Sequence, residues 1–388
     1  MTKQTIDDQI LKKFDIDETY FTAVISYGSD KEINVTHKED EGCIEIEYSG
    51  SEIELNELIE ELFNKLGKSA IKKRVKEIYS HQSTLKQNNN TWENWLKKGL
   101  VFESGEGHVS YGGIILECLL SLDKLIVDWG KKMGATELNL PTFLDKKSYK
   151  ALGIIDEYPQ IIYFPTSLQA DYDVMSKFQT DGKFENKNLI PPTHCLKTSA
   201  CSPLYQLLDG KDFQTPQFFS LLGNCHRNER GRTSTFERLS EFKMREIVIV
   251  ADDQTIDLFF DQYLLLMKTI IEVFNLESSI ATANDLFFVS NYQKYSLMQN
   301  MSKSKFEVKT KVESSGNWMS FSSINFHKNF FSKKYNINYK GDEAMSCCMG
   351  VGLERLTYAI GLYHFEDFKN LASKFEDIRK QLNLNTNA

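Results

Sequence analysis

"GNCHRNERGRTSTFERLSEFKMREIVIV", residues 223–250, packs Arg227, Arg230, Arg232, Arg238 and Arg245 among the acids Glu229, Glu237, Glu241 and Glu246, in a chain whose formal net charge is −8. The run over 218–229 and the run "EFKMREIVIVA" (241–251) both read as strands, and the polar residues between them read as a loop. Side chains two apart on a strand share a face. Arg227 and Glu229 therefore fall together on the first strand, and Phe242, Met244 and Glu246 on the second. An antiparallel pair of these strands presents a guanidinium, two carboxylates and an aromatic ring on one surface. That set suits a nucleotide: Arg227 can fork onto an α-phosphate, Phe242 can stack on a purine, and Glu229 can accept from an exocyclic amine. The same residues also describe a solvated hairpin laced with surface ion pairs, so this stretch alone leaves both readings open.

A second stretch narrows the choice. "GVGLER" (350–355) follows the strand-like "EAMSCCMG" and opens the helical "GLERLTYAIGLYH". Arg355 then lies in the first helical turn, where the macrodipole disfavours a cation unless an anion compensates, and a phosphate would compensate. Gly350 and Gly352 allow backbone to approach a ligand closely.

The bulk numbers set the surroundings. A chain of 388 residues with 41% hydrophobic content has room for two or three domains and a substantial core. The start, "MTKQTIDDQILKKFDIDETYF", has no apolar segment after a basic region, and no stretch reaches the length of a membrane span, which predicts a cytoplasmic protein that meets no membrane. Seven cysteines without framework spacing fit reduced thiols or metal ligands better than a disulfide scaffold. A sequence pI of about 5.6 argues against a broad nucleic-acid surface.

Along the chain, residues 1–90 read as a small α+β domain. The strand-like runs "TYFTAVISYG", "KEINVTH" and "CIEIEYSG" precede a helical pattern that begins after Ser51 and continues to about residue 80. "KQNNNTWEN" (86–94) reads as a linker. Residues 91–388 form a larger α+β body. A helix over about 112–133 ends near Gly134, and a short strand broken by Pro141 follows it.

Three candidate metal ligands fall in this larger body: Cys201 in "KTSACSPLYQLL", Glu246 in "FKMRE" and Cys348 in "SCCMGVGLER". Two thiolates and a carboxylate can hold Zn²⁺ with its fourth position open. No C-x-x-C spacing separates them from ordinary buried free cysteines. Neighbouring Cys347, and His194 and Cys195 further upstream, are alternative ligands.

The helix, the Pro-broken strand, the 223–250 hairpin and "GVGLER", in that order, resemble motifs 1, 2 and 3 of class II aminoacyl-tRNA synthetases. The resemblance implies an α+β fold in which an antiparallel sheet flanked by helices binds ATP, with Arg227 on the α-phosphate, Arg355 on the γ-phosphate, Glu229 on the adenine amino group and Phe242 against the ring. Within that class, "GHVSYGGIILECLLSLDKLI", "TSACSPLY", "FKMREIV", "NDLFF", "SINFHKNFF" and "CMGVGLERL" are similar to the amino acid:[carrier protein] ligases, relatives of the catalytic core of the zinc-dependent archaeal-type seryl-tRNA synthetases. That likeness covers about residues 98–365. It implies one Zn²⁺ per subunit on Cys201, Glu246 and Cys348, Mg²⁺ with the ATP and Glu313 as its carboxylate, and His327 beside the amino acid pocket. Cys225 and His226 stand where an aromatic residue commonly precedes the motif 2 arginine, and Leu286 where the family tends to have proline.

The implied reaction activates a small amino acid as its adenylate and passes it to the phosphopantetheine thiol of an acyl or peptidyl carrier protein. A tRNA acceptor is the alternative, and a non-catalytic synthetase paralogue a third reading. The chain ends soon after motif 3 and its first 100 residues lack long paired helices, which points away from tRNA. Lysine-rich 68–76 and 327–340 are the candidate docking patches for an acidic carrier. The motif 1 helix implies a homodimer.

Overall fold

Alternating apolar residues build a small N-terminal sheet and a large main sheet. The computed structural model describes residues 1–384 apart from 14–15, 17, 28, 30, 39–40, 67–74, 230–232, 284–303 and 365–370. Arg230, Arg232, "NDLFF" with Leu286, and most of the 68–76 lysine run therefore lie outside the described residues.

At the N-terminus β1 (Thr2–Asp7), β2 (Ile33–Lys38) and β3 (Cys43–Tyr48) form an antiparallel sheet in the order β1-β3-β2. Ile33, Val35, Ile44 and Ile46 bury one face of it with Leu55, Ile59 and Leu62 of the helix Glu52–Leu66. That helix starts where Ser51 predicts: Ser51 Oγ accepts from the Glu54 N–H, and the Glu54 carboxylate accepts from the Ser51 N–H, a capping box. Two expectations fail. "TYFTAVI", the first seven residues of one such run, lies in the helix Glu18–Ile25 rather than in a strand, because Phe21, Val24 and Ile25 recur at i, i+3 and i+4 and bury one stripe. The far end of the helical pattern is not helix either: Glu77–His81 is a strand, β4, and belongs to the other sheet.

The hairpin β5 (Val101–Gly105) and β6 (His108–Tyr111) precedes the helix Gly113–Lys132, which buries Ile115, Leu119, Leu122, Ile126 and Trp129. Pro141 separates β7 (Thr136–Leu138) from β8 (Phe143–Asp145), which pairs with β9 (His194–Leu196). β10 (Asp212–Phe213) leads into β11 (Gln217–His226) and β12 (Glu241–Ala251), the arms of the arginine-rich hairpin. After a long helix, Asp253–Phe274, come β13 (Ser278–Thr282), β14 (Lys305–Val312) and β15 (Asn317–Lys328), the short pair β16 (Asn338–Tyr339) and β17 (Asp342–Glu343), and β18 (Met345–Gly352), which runs directly into the helix Leu353–His364. The main sheet has the order β4-β13-β14-β15-β18-β12-β11-β7, antiparallel except at the β7 edge. Helices cover one face through Ile247, Ile249, Cys347 and Met349. The other face is partly closed by a smaller cluster with Val248 and Cys348 and is open around β12, β18, β15 and β14. The expected linker is no linker: Trp92 and Trp95, at i and i+3, dock a short helix, Thr91–Lys97, into the core, and Gln87 donates to Lys311 O and Tyr363 Oη.

Arg245 ties this frame together. It is 2% exposed on the helix-covered face, forks onto Asp123 of the Gly113–Lys132 helix at 2.6 and 2.8 Å, and also reaches Glu137 of β7 and Ser220 of β11. Its duty is structural. Arg245→Ala is expected to cost about 3 kcal/mol, the lower end for removing one partner of a buried pair because Asp123 and Glu137 keep some water access. Urea unfolding should show the midpoint fall; an unmoved midpoint would mean that these pairs add no net stability.

Candidate active site

Residues directly opposite across an antiparallel sheet share a face, so the register places the site. Leu221, Glu246, Gly350, Ser323 and Glu307 form one rung across β11, β12, β18, β15 and β14. The next rung carries Val248, Cys348, Asn325 and Lys305. All of these lie on the side away from the three long helices. Gly350 sits inside β18 rather than in a turn, and a Cβ there would meet Met244 Cε at 3.0 Å and Glu246 Cγ at 3.3 Å. Glycine leaves the space those side chains need.

At the loop end of the hairpin, β11 stops at His226, three residues short of the expected 229, although the pairing continues through Arg227 N–H to Ser240 O at 2.9 Å. Arg227 donates to Thr198 O at 3.1 Å, and its guanidinium lies 5.2 Å from the centre of the Phe242 ring. The expected arginine and aromatic are thus together. Glu229 is 6% exposed and bonds Arg238 at 2.8 Å, a partner that reading the strands alone does not supply. Arg355 stands in the first turn of Leu353–His364 and donates to Glu237 O and Ser320 O. Burial pushes the Arg355 guanidinium down to about 10, with Arg238 and, further down, Arg227 adding to the depression against Glu229 and Glu307. Three guanidiniums share one field, and a polyanion between them would relieve it.

At the other end Cys201, Glu246 and Cys348 bring their ligand atoms within 4.8 Å of one another, the group of this kind among the described residues. Glu246 is 2% exposed and held from below, accepting from the Ala200 and Cys201 N–H groups at 3.1 and 2.7 Å. Its Oε2 is also 3.5 Å from Cys348 Sγ. The Cys201 thiol pushes the Cys348 thiol well up, with burial and then Glu246 adding to it. Three acidic groups in one dry place is an arrangement that a divalent cation stabilises, and two sulfurs with one carboxylate oxygen suit Zn²⁺ with a position left open. The period of two settles which cysteine faces the cluster: Cys347 points into the helix-covered core, Cys348 to Glu246. Cys195 is buried in the smaller core, and neither it nor His194 joins the group. His226 approaches Glu241, away from Arg227.

His327 lies at the rim of the cluster. Its Nδ1 is 2.9 Å from Tyr205 Oη, whose ring stacks on Phe331 at 3.8 Å. Burial, then Cys201 and Cys348, pushes the Tyr205 phenol up, so the ring is close enough to feel both sulfurs. Glu313 sits exposed in the β14–β15 turn, its N–H on Gln87. Sequence reasoning missed Glu307, which alternation along "KFEVKTKV" could have put on the open face. Burial alone would raise its carboxyl, but Lys305 and Lys309, at 3.0 and 3.2 Å, hold it at about 2. Lysines 333 and 334 are less available than their sequence suggests: Lys333 approaches Glu343, and Lys334 lies over Phe330 with Glu157 and Asp156 nearby.

The comparisons agree with the fold. Residues 183–361 match the tRNA synthetase class II core domain (G, H, P, S and T). The chain is 23% identical over 280 residues to amino acid--[acyl-carrier-protein] ligase 2 of Bradyrhizobium diazoefficiens, covering 70% of this chain and 83% of that one. It is also 23% identical over 305 residues to the type-2 serine--tRNA ligase of Methanococcoides burtonii, covering 72% of this chain and 59% of that one. Among solved structures it superposes on the Methanopyrus kandleri seryl-tRNA synthetase of a complex with A. aeolicus tRNASec, with a TM-score of 0.68 and 18% identity over 96% of this chain and 78% of that one. No helix among the described residues is long and apolar enough to cross a membrane.

Proposed function

Because the chain carries a class II aminoacyl-tRNA synthetase core, we propose that it is an adenylate-forming ligase, which joins a small amino acid to ATP and passes it to the phosphopantetheine thiol of a carrier protein. The observation that carries this reading is the single rung holding Glu246 and Glu307. Three strand spacings separate them, about 14 Å at roughly 4.8 Å each. Between them lies room for an amino acid carboxylate to meet an α-phosphate. In the first step a carboxylate oxygen attacks the α-phosphorus and pyrophosphate leaves. Arg227 takes the charge that develops on the α-phosphate, Arg355 that of the γ-phosphate, and Phe242 and Glu229 hold the adenine. In the second step the carrier thiolate attacks the acyl carbon and AMP leaves. Zn²⁺ on Cys201, Glu246 and Cys348 would offer its open position to the substrate's α-amino group. Glu307, already ionised and facing Arg355, is the better placed carboxylate for the Mg²⁺ of ATP, with Glu313 beside it in sequence but out in the turn.

One observation favours a second reading, a seryl-type tRNA ligase: the likeness to the Methanopyrus kandleri enzyme extends over the N-terminal unit as well as the core. Against it stands the acidic balance of the chain, because tRNA binding rests on phosphate contacts. Two copies pairing through the Gly113–Lys132 helix are part of either reading. Amino-acid-dependent ATP–pyrophosphate exchange tests both. Exchange is expected with glycine, alanine or serine, and its absence with every amino acid would leave only a binding role. Offering tRNA and a phosphopantetheinylated carrier side by side then decides the acceptor, with the thioester expected.

A further inference from the structure

The N-terminal unit reaches into the nucleotide side of the core. Tyr27, just past the helix Glu18–Ile25, donates its hydroxyl hydrogen to the carbonyl oxygen of Asn228, the residue between Arg227 and Glu229. The Asn228 N–H in turn donates to Ile161 O at 2.9 Å, and the Arg227 N–H to Ser240 O at 2.9 Å. Here β11 has already ended, so the backbone that aims Arg227 and Glu229 is held from three sides: by Ser240 just before β12, by the turn Pro159–Ile161, and by the N-terminal unit. The contact is not isolated. Tyr158, next to that turn, packs against the core of the N-terminal unit, so the two bodies meet at two points around one peptide. Tyr27 also lies within electrostatic reach of Arg238, the partner of Glu229.

We propose that Tyr27 is a positioning residue for adenylation: its hydroxyl fixes the 227–229 backbone so that Arg227 and Glu229 are set for ATP. The N-terminal unit then belongs to the catalytic apparatus instead of being an appendage to it. This rests on the adenylation reading above. Loss of the hydroxyl leaves a part-buried carbonyl without that donor, and small displacements of positioning groups weigh heavily on reaction rates.

Tyr27→Phe in the full chain removes the oxygen and keeps the ring. The KM for ATP in pyrophosphate exchange is expected to rise about five- to tenfold, the size of one such hydrogen bond, with the KM for the amino acid and the melting temperature unchanged. Lys3→Ala, which removes a surface ion pair of the same unit with Glu47, should leave all three as they are. An unchanged KM for ATP together with an unchanged kcat per active site overturns the proposal. So does a lower kcat that vanishes once rates are expressed per titrated active site, which reports only a smaller active fraction. Calorimetric titration with ATP gives the same comparison without turnover: Kd should weaken by the same factor in Tyr27→Phe, and an equal Kd overturns the proposal. If the wild type binds ATP but exchanges nothing, the adenylation reading fails while the Kd comparison still decides whether Tyr27 sets the ATP site.

Discussion

In amino-acid-dependent ATP–pyrophosphate exchange, Arg227→Ala is expected to lower kcat about a thousandfold while the KM for the amino acid stays within about twofold. A thousandfold is ~4 kcal/mol of transition-state stabilisation at 1.36 kcal/mol per decade, the upper range for removing one preorganised donor from a developing oxyanion. The structure supports a value that high. Arg227 is fixed before ATP arrives, by its bond to Thr198 O and its place over Phe242, so little reorganisation is needed during reaction. Arg227→Lys should recover only part of the loss, because an ammonium cannot fork onto two phosphate oxygens. Glu229→Gln should act mainly on the KM for ATP, since the proposed reading gives it the adenine and the change frees Arg238 from its ion pair. A loss below tenfold for Arg227→Ala would remove this residue from the chemistry and return it to the solvated-hairpin reading.

The five arginines of 223–250 show what sequence reveals and what it hides. Residue type and alternation separate Arg227 from Arg245: one side of the hairpin meets the open face, the other the helices, and Arg245 is buried on Asp123 as alternation implies. Arg238 could not be read this way. It sits in a loop without period, and its bond to Glu229 depends on how that loop folds back. The same limit explains Glu313 and Glu307. Proximity to motif 3 in sequence favours Glu313, yet a turn residue points outward, whereas the register of four strands carries Glu307 to the rung of Glu246. Register over long separations is set by packing and turns that no local pattern encodes. The N-terminal errors have a related cause. "TYFTAVI" satisfies both a β-rich composition and an i, i+3, i+4 stripe, and burial of Phe21 and Ile25 against the small sheet decides for helix.

Adjacent cysteines offer the sharpest test of the proposed zinc site. Cys348→Ala should reduce bound zinc from about one per subunit to a small fraction and depress pyrophosphate exchange at least a hundredfold, whereas Cys347→Ala should keep both. The two residues differ only in the face they occupy. Cys348 meets Glu246 at 3.5 Å on the open side, and Cys347 packs among the helices with Ile249 and Met349. Removing one of three protein ligands leaves a two-ligand site that cannot hold the ion in competition with water and buffer. Removing the Cys347 sulfur leaves a small apolar cavity, at a cost of about 1 kcal/mol that thermal melting would detect and zinc analysis would not. Glu246→Gln separates the ligand role from the structural one, because an amide oxygen can still accept from the Ala200 and Cys201 N–H groups while losing the charge that draws a cation. Its fold should persist and its zinc should be lost. Full zinc in Cys348→Ala, or equal zinc loss in both cysteine variants, would show that the metal is bound elsewhere and that Cys201, Glu246 and Cys348 are a buried polar cluster with a packing role alone.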